Sequence, residues 1–547
     1  LKNGFYFLPL GGSDEIGMNL NVYICDGRMI IVDMGISFCD HLGVEIIMPD
    51  IRYLEDKVDQ IEAIVLTHAH EDHIGAVAHL WPRLRCPIYA TPFTAEVVRN
   101  KFRETPYAKN APIIEIPLSG KLDLTPFHIE FVTLTHSIPE PNALKITTKY
   151  GTVMHTGDWK LDPSPLVGAT TNEKRLKEIG DEGVLALVCD STNVFSEGTS
   201  GSEGDVKEEL LEVIKRYPKQ RITVACFASN IARMQSIAEA AHATGREIVM
   251  IGRSLEKMEL AARYAGYLKG ISKFKGDQAL RDLPNERTLV ICTGSQGEHK
   301  SALARITNGT HPMMKLDAGD VVIFSARTIP GNEKHIGAVQ NRLTRAGVTI
   351  ITSHDEDIHV SGHPYRDELR QMFAWTRPQV LIPVHGEARH LFEHRRLGLD
   401  SGIPQAIVPN NGTLIKLAPE KAAIIDENIP SGRLVIDGNR LIPQEALALK
   451  QRHKVAINGH VMISLVIKGD KVKAQPQITL NGICEPGQET HDLVEKITGA
   501  LEQVLYQDVS EFKSESALTE SLRQAARRIC HAWFGKKPVT DIHIIQV

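Results

Sequence analysis

The chain has 547 residues, which at roughly 150 residues per domain predicts about three or four folding units. Its composition, 42% hydrophobic and 24% charged with 42 Gly and 28 Pro, excludes a disordered, collagenous or low-complexity chain. A formal net charge of -5 excludes a global pull toward nucleic acid and leaves that role to a local basic groove.

Eight scattered cysteines, Cys25, Cys39, Cys86, Cys189, Cys226, Cys292, Cys484 and Cys530, form no C-x-x-C pair. That argues against a zinc ribbon or a disulfide framework and for a reducing cytoplasm. The longest apolar runs, such as Val184 to Cys189 and Val461 to Ile467, fall far short of the roughly 18 residues a membrane span needs. No charged-then-apolar leader follows Leu1. The expected protein is cytoplasmic, with no membrane partner.

Over the first 200 residues, short apolar runs end in polar loops: Leu20 to Cys25, Met29 to Val32, Ile61 to Leu66, Ile129 to Leu134, Thr152 to Met154 and Val184 to Cys189. These read as buried strands with chemistry at their ends. From Asp205 to Gly347 helix and strand alternate: Lys207 to Tyr217, Ala232 to Thr244 and Leu255 to Leu268 have helical period, and Ile222 to Phe227 and Ile248 to Ile251 read as strands. The alternation predicts βαβ units and a parallel sheet. Beyond Gly347, Gln379 to Val384 is the clearest strand, and Pro430 to Pro443 reads as linker around a strand-like Leu434 to Ile436. The last hundred residues predict a small α/β unit: a strand Val461 to Ile467, helices near Leu493 to Leu505 and Leu518 to Phe534, and a closing strand Asp541 to Val547. Leu518, Leu522, Ala525, Ile529 and Trp533 share one face of the last helix, and Gly535 followed by Pro538 stops it.

The sharpest feature is His68-Ala69-His70-Glu71-Asp72-His73, after the strand Ile61 to Thr67 and before a helical stretch starting near Ile74. Packing gives no reason to crowd three imidazoles and a carboxylate at a turn. Three more strand ends deliver His136, Asp158 in HTGD and His385 in VHGE. Together they close two sites: His68, His70, His136 and Asp158 around one ion, and Asp72, His73, His385 and a bridging Asp158 around the other. The donors are nitrogen and oxygen throughout, which suits zinc or manganese. Asp33, in IVDMG, is expected to hold a ligand from behind, and His155 to pack beside the site.

HAHEDH with His136, Asp158 and His385 resembles the metallo-β-lactamase superfamily, and Asp190, His363 and His385 match the three motifs of its nucleic-acid-processing β-CASP branch. The ligands from His68 to Asp158 lie within 90 residues, yet His385 lies 195 beyond Asp190, so a whole domain must be inserted in the metal-binding one. GGSDEIGMN (11–19), THSIP (135–139), DSTN (190–193), FASNI (227–231), CTGSQGE (292–298), IPGNE (329–333) and HVSGH (359–363) are similar to the bacterial ribonuclease J family across nearly the full chain. The departure is Ser13-Asp14, where that family commonly has a more Gly-rich turn. The implied fold is α/β: a metallo-β-lactamase αββα sandwich with an inserted β-CASP α/β domain and a small C-terminal α/β domain. The expected boundaries are 1–206 and 348–429 for the metal domain, 207–347 for the insertion, 430–455 for a linker and 456–547 for the last unit.

The resemblance implies a ribonuclease with two divalent ions per subunit, zinc first with manganese or magnesium as alternatives. Two closely spaced divalent ions acidify a water and neutralise phosphoryl charge, so in-line attack on phosphorus runs at neutral pH. Asp72, Asp190 and His363 are the expected catalytic residues, with His363 as acid to the leaving O3′ and Asp190 as its orienting carboxylate. Asp190 alone would also read as a cap of the DSTN turn. The terminal phosphate of a 5′-to-3′ substrate is expected at His359, Val360, Ser361, Gly362 and His363, and at Ser229 with Asn230; both segments also read as ordinary helix caps. The stretch Ile251 to Lys275 has a local balance of +4 with Tyr264, Tyr267 and Phe274 interleaved, and reads as an RNA-contacting or a merely solvated face.

The implied activity is 5′-to-3′ exonucleolytic, preferring 5′-monophosphorylated single-stranded RNA, with endonucleolytic cleavage as a second mode, in RNA decay and rRNA and mRNA 5′-end maturation. Homodimers or homotetramers and partners in an RNA-decay complex are expected. Competing readings are a lactamase or glyoxalase-like thioesterase, which leaves the insertion unexplained, a DNA-processing β-CASP nuclease, which usually lacks the His at position 385, and a noncatalytic scaffold, which would have lost ligands.

Overall fold

The computed structural model describes residues 1, 3–41, 43–105, 108, 110–426, 428–469, 471–506 and 514–547. They divide into two compact units, one of residues 1–38 and 46–433 and one of residues 39–45 and 434–547.

The first unit holds two facing sheets. One has eight strands in the order Ala423–Asp426, Leu414–Ala418, Phe5–Gly11, Leu20–Cys25, Arg28–Val32, Ile61–Val65, Ile88–Ala90 and Ile113–Glu115. The other has seven, in the order Gln405–Ala406, Val380–Val384, Ala186–Asp190, Gly151–His155, Asn142–Thr148, Phe127–Thr133 and Lys121–Leu124. Phe5, Phe7, Tyr23 and Val65 of the first meet Phe127, Phe131, Leu144, Val188 and Ile382 of the second in one buried layer. On its outer face the second sheet packs Leu187 and Leu381 against Leu176, Leu369, Phe373 and Leu397 of covering helices. A strand covered on both faces gains nothing from alternating polarity, which is why Ala186–Asp190 and Val380–Val384 are buried at every position.

Strand direction positions the site. Gly151–His155, Ala186–Asp190 and Val380–Val384 run parallel, as do Arg28–Val32 and Ile61–Val65. Phe127–Thr133 and Gly151–His155 each pair antiparallel with Asn142–Thr148, so they too point the same way. The carboxyl ends of these strands therefore deliver Asp33, His68, His136, Asp158, Asp190 and His385 to one edge, where open α/β sheets place their chemistry.

A separate five-stranded sheet, all parallel, has the order Glu247–Ile251, Thr288–Cys292, Ile222–Ala225, Val321–Phe324 and Thr349–Ile351. It exceeds the expected 207–347 at both ends: the helix Glu203–Lys215 starts at the Ser202 cap, and Thr349–Ile351 adds the edge strand. The sequence boundary was set at Gly347, which is instead the tight turn into that strand (φ +74). The two helices Glu203–Lys215 and Ile231–Ala243 are joined by a buried pair, Arg233 to Glu203 at 3.0 Å. Arg233 also donates to the carbonyls of Ser325 (2.9 Å) and Ile358 (3.0 Å).

In the second unit, His460–Lys468 pairs antiparallel with Gln477–Asn481 and parallel with Val539–Gln546. The helices Gln488–Leu505 and Glu515–Phe534 bury Leu493, Ile497, Leu518 and Leu522 against it. Gly535 stops the last helix at φ +68 as its sequence predicts. The stretch expected as linker, 430–455, instead carries a hairpin, Arg433–Asp437 with Arg440–Pro443, and most of the helix Leu447–Asn458. Its Gly438 is the hairpin turn (φ +61), not a flexible joint.

Replacing Arg233 by Ala leaves the Glu203 carboxylate buried and unpaired, and lowers stability by about 3–5 kcal/mol. The urea midpoint of the full chain reads this, and an unchanged midpoint would contradict the pairing.

Candidate metal centre

Three groups of donors converge at the common strand edge: His68, His70, His136 and Asp158; Asp72, His73, Asp158 and His385; and Asp158, Asp190, His363 and His385, the donor atoms of each lying within 4.8 Å of one another. In the first group His70 Nδ1 lies 3.2 Å from His68 Nε2 and 3.0 Å from His136 Nε2. Asp158 Oδ2 is 3.9 Å from His68 Nε2 and from His136 Nε2. In the second, that same oxygen is 3.2 Å from His73 Nε2, and Asp72 Oδ2 is 3.1 Å from His385 Nε2 and 3.7 Å from His73 Nε2. Asp158 thus belongs to both.

Hydrogen bonds behind the rings fix which nitrogen faces inward. Thr67 Oγ1 donates to Asp33 Oδ2 (2.7 Å) and so accepts from His68 Nδ1 (3.0 Å), leaving His68 Nε2 its lone pair. His136 Nδ1 donates to the Gly362 carbonyl at 2.5 Å, and His73 Nδ1 to Asp33 Oδ2 at 2.7 Å. Thr192 Oγ1 donates to Asp190 Oδ1 (2.6 Å) and accepts from His385 Nδ1 (2.9 Å). Four rings thereby turn Nε2 toward the centre, and at His68 and His136, which burial keeps neutral, that nitrogen presents a lone pair. Asn19, which donates to the Asp72 carbonyl and to His73 Nε2, both at 3.1 Å, completes this layer.

Electrostatics agree with that arrangement. Burial, reinforced by neighbouring imidazoles, holds His68 and His136 well below the ordinary histidine value, and burial takes His70 down to about 4. Such rings are neutral donors. Burial alone would raise Asp158, but the charges of His385 and His73 pull it to about 2. Burial works against His73 and His385 as well, yet the carboxylates, Asp158 foremost, lift both well above the usual range. Buried carboxylates here call for positive charge. Asp158 Oδ1, buried and without a hydrogen-bond partner, is an open donor position. Convergent lone pairs, an orphaned carboxylate oxygen and an all-N,O donor set fit divalent ions of the zinc class.

The backbone is strained where it carries the site. Asp33 (φ +62) and His385 (φ +54) occupy the left-handed region without being glycine. Asp33 is held there by the Thr67 amide (2.8 Å) in addition to the Thr67 hydroxyl and His73.

Beside the centre, His363 Nδ1 donates to Asp190 Oδ2 at 2.8 Å. Burial would lower His363, but Asp190 outweighs it and raises the ring above its ordinary value. The His363 side chain is 23% exposed against 0% for Asp190, so the imidazole is the accessible member of the pair. Gly362 is required by space, since a Cβ there would stand 2.7 Å from His136 Cε1 and Ser137 Oγ. Ser361 Oγ accepts from Asn193 Nδ2 (2.7 Å) and from the His363 amide (3.3 Å), which leaves its O–H free to donate outward. His359 Nδ1 is buried with no partner among the described residues. Val360 packs toward Gly201.

One expected phosphate contact, Asn230, is engaged within the fold. Asn230 caps the helix Ile231–Ala243, its Oδ1 accepting from the Arg233 amide (2.9 Å) and its Nδ2 donating to Glu203 (3.2 Å), so both halves of its amide are already engaged. Its reading as a phosphate contact is corrected to that of a cap. Ser229 lies half-buried before it. His155 packs as expected, with Nδ1 2.9 Å from the Tyr23 hydroxyl. In the basic stretch, Lys257 pairs with Glu104, Arg263 with Glu259 at 2.9 Å and Lys275 with Glu247 at 3.4 Å, so much of its charge is spent within the protein. The roles of Thr67, Thr192, Asn19 and the Gly362 carbonyl do not show in the sequence pattern; Thr67 adjoins His68 and Thr192 lies within DSTN, which is the local signal they offer.

Four family models match the chain: "Metallo-beta-lactamase superfamily" over 21–170, "Ribonuclease J, beta-CASP domain" over 219–343, "Zn-dependent metallo-hydrolase RNA specificity domain" over 354–409 and "Ribonuclease J C-terminal domain" over 447–547. Ribonuclease J of Sinorhizobium meliloti is 42% identical, covering 99% of this chain and 97% of that protein. Ribonuclease J of Mycolicibacterium smegmatis is 36% identical over 97% and 95%. A crystal structure of a protein of unknown function from Enterococcus faecalis V583 shares the fold at a TM-score of 0.54 and 17% identity, over 76% of this chain and 100% of that one.

Among the described residues no helix is long and apolar enough to cross a membrane, and no cysteine is joined in a disulfide.

The layer behind the rings carries its own expectation. Asp33→Asn removes the carboxylate that holds Thr67 and His73, and weakens zinc retention about 10- to 100-fold in competition with a chromophoric chelator. Retention equal to wild type would contradict the role of Asp33.

Proposed function

The chain belongs to the ribonuclease J family, metallo-hydrolase nucleases acting on RNA, and from that premise we propose a 5′-to-3′ exoribonuclease preferring 5′-monophosphorylated single-stranded RNA, with internal cleavage as a second mode. RNA decay and rRNA and mRNA 5′-end maturation in the cytoplasm are the processes it would serve, as a homodimer or homotetramer and within a decay complex. The absence of a disulfide among the described residues accords with a reducing compartment.

His68, His70, His136 and Asp158 would hold one divalent ion, and Asp72, His73, His385 and the shared Asp158 a second. Zinc is the first choice, manganese and magnesium the alternatives. Such ions, when bound, acidify the attacking water and neutralise charge on the phosphoryl oxygens.

The remaining work falls to the chain. The observation that carries the reading is the Asp190–His363 pair at 2.8 Å, set against Asp158. Asp190 accepts the hydrogen bond from Nδ1–H and fixes the ring, so the second proton of the charged imidazole sits on Nε2. From there it passes to the leaving 3′-oxygen as the phosphorus–oxygen bond breaks, giving a 3′-hydroxyl and a 5′-phosphate. Thr192 donates to Asp190 from its amide (2.9 Å) and its hydroxyl (2.6 Å), which keeps the carboxylate ionised and aimed. The Ser361 hydroxyl, the close backbone at Gly362 and the buried His359 form a turn suited to a terminal phosphate.

The test is one RNA with a labelled 5′ end in monophosphate, hydroxyl and triphosphate forms, with Asp72→Ala as control. Mononucleotide release from the monophosphate, little from the triphosphate and loss in the variant are expected. Internal products indifferent to the 5′ end would contradict the exonuclease assignment. Asp190→Asn, which keeps the shape and removes the charge, is expected to lower kcat about 100- to 10,000-fold, with RNA binding retained in a filter assay.

A further inference from the structure

CTGSQGE and IPGNE hold none of the groups assigned above, yet the fold brings them to the Ser361 turn. Gln296 is buried, and its amide grips one segment at three points. Nε2 donates to the Arg327 carbonyl (2.9 Å), while Oε1 accepts from the Ile329 amide (2.9 Å) and from Asn332 Nδ2 (3.3 Å). Arg327, just beyond the strand Val321–Phe324, is thereby held with its backbone fixed. Its Nη1 donates to Asn193 Oδ1 at 3.2 Å, and Asn193 Nδ2 in turn donates to Ser361 Oγ (2.7 Å) and to the His363 carbonyl (3.2 Å).

Charge bookkeeping singles out this arginine. Burial, and then the charges of Arg233, Arg327 and Lys160, hold His359 well below its ordinary value, so three cations act on this turn. Two are neutralised inside the protein: Arg233 by Glu203 at 3.0 Å and Lys160 by Asp162 at 3.2 Å. Arg327 is exposed and has no acidic partner among the described residues; its contact is the neutral Asn193 amide. An uncompensated guanidinium, a buried imidazole nitrogen without a partner and a hydroxyl with a free O–H thus surround one turn.

We propose that Arg327 is a specificity-determining residue that reads the terminal phosphate of the RNA, with Gln296 as its positioning residue. The inference rests on the Ser361 turn being the 5′-phosphate pocket. A terminal phosphate monoester carries close to two negative charges at neutral pH, an internal diester one and a 5′-hydroxyl end none. A free cation at the turn favours the first over the other two. The planar fork of Arg bonds Asn193 with one arm and leaves others for phosphoryl oxygens, whereas Lys offers charge without the fork.

The experiment measures kcat/KM of the zinc-loaded full chain on one single-stranded RNA carrying either a 5′-monophosphate or a 5′-hydroxyl. Arg327→Gln is expected to reduce the ratio of the two values about 10- to 100-fold, the worth of a charge-assisted contact. It is also expected to raise the inhibition constant of free uridine 5′-monophosphate by a similar factor. Arg327→Lys, which keeps the charge, retains more of the ratio than Gln does. A ratio that stays at the wild-type value in Arg327→Gln, or a loss equal on both substrates, overturns the proposal while leaving the pocket intact. A wild-type enzyme indifferent to its 5′ end overturns the pocket itself.

Discussion

Imidazole lone pairs repel one another, and nothing in ordinary packing brings His68, His70 and His136 within 3.0–3.2 Å nitrogen to nitrogen. Their meeting point is bounded by Asp158, whose Oδ2 also lies 3.2 Å from His73 on the other side. A carboxylate shared between two sets of converging donors calls for positive charge on both sides of it. Much of the surrounding structure serves that constraint: parallel strands from two sheets end at one edge, Asp33 and His385 accept strained backbone, and buried hydroxyls of Thr67 and Thr192 hold the rings in one tautomer.

The five-stranded parallel sheet and its flanking segments serve a different purpose. They bring Arg327 and Gln296 to the turn that carries Ser361 and His363, beside the candidate metal centre. Net charge of the whole chain says little about this, because the relevant cations are decided singly. Arg233 and Lys160 are already neutralised by buried acids, and between Ile251 and Lys275 the cations Lys257, Arg263 and Lys275 are paired with Glu104, Glu259 and Glu247. What acts on a phosphate is the charge left over.

The metal donors were legible because each sits just after an apolar run, where residue type and strand end can be read together without knowing the fold. The shared role of Asp158 also followed from donor counting. Other features were hidden for physical reasons. Thr67 and Thr192 look like β-branched residues at strand ends, and their hydrogen bonds depend on partners far away in sequence. The Gly362 carbonyl that orients His136 lies 226 residues from it. Asn230 carries two readings in the sequence because a helix cap and an anion contact use the same residue type, and the fold shows the cap. The segment 430–455 was misread as linker because its glycine and prolines sit in a hairpin turn and at strand ends. The strand Thr349–Ile351 was too short to announce itself beyond the Gly347 turn.

The account stands or falls on Asp158 lying between two cations. Crystals of the zinc-loaded protein, with anomalous data collected on either side of the zinc edge, test this directly. The account predicts two peaks in each chain, one among His68, His70 and His136, the other among Asp72, His73 and His385, both touching Asp158. A single peak, or two peaks with Asp158 outside contact of one of them, would contradict it.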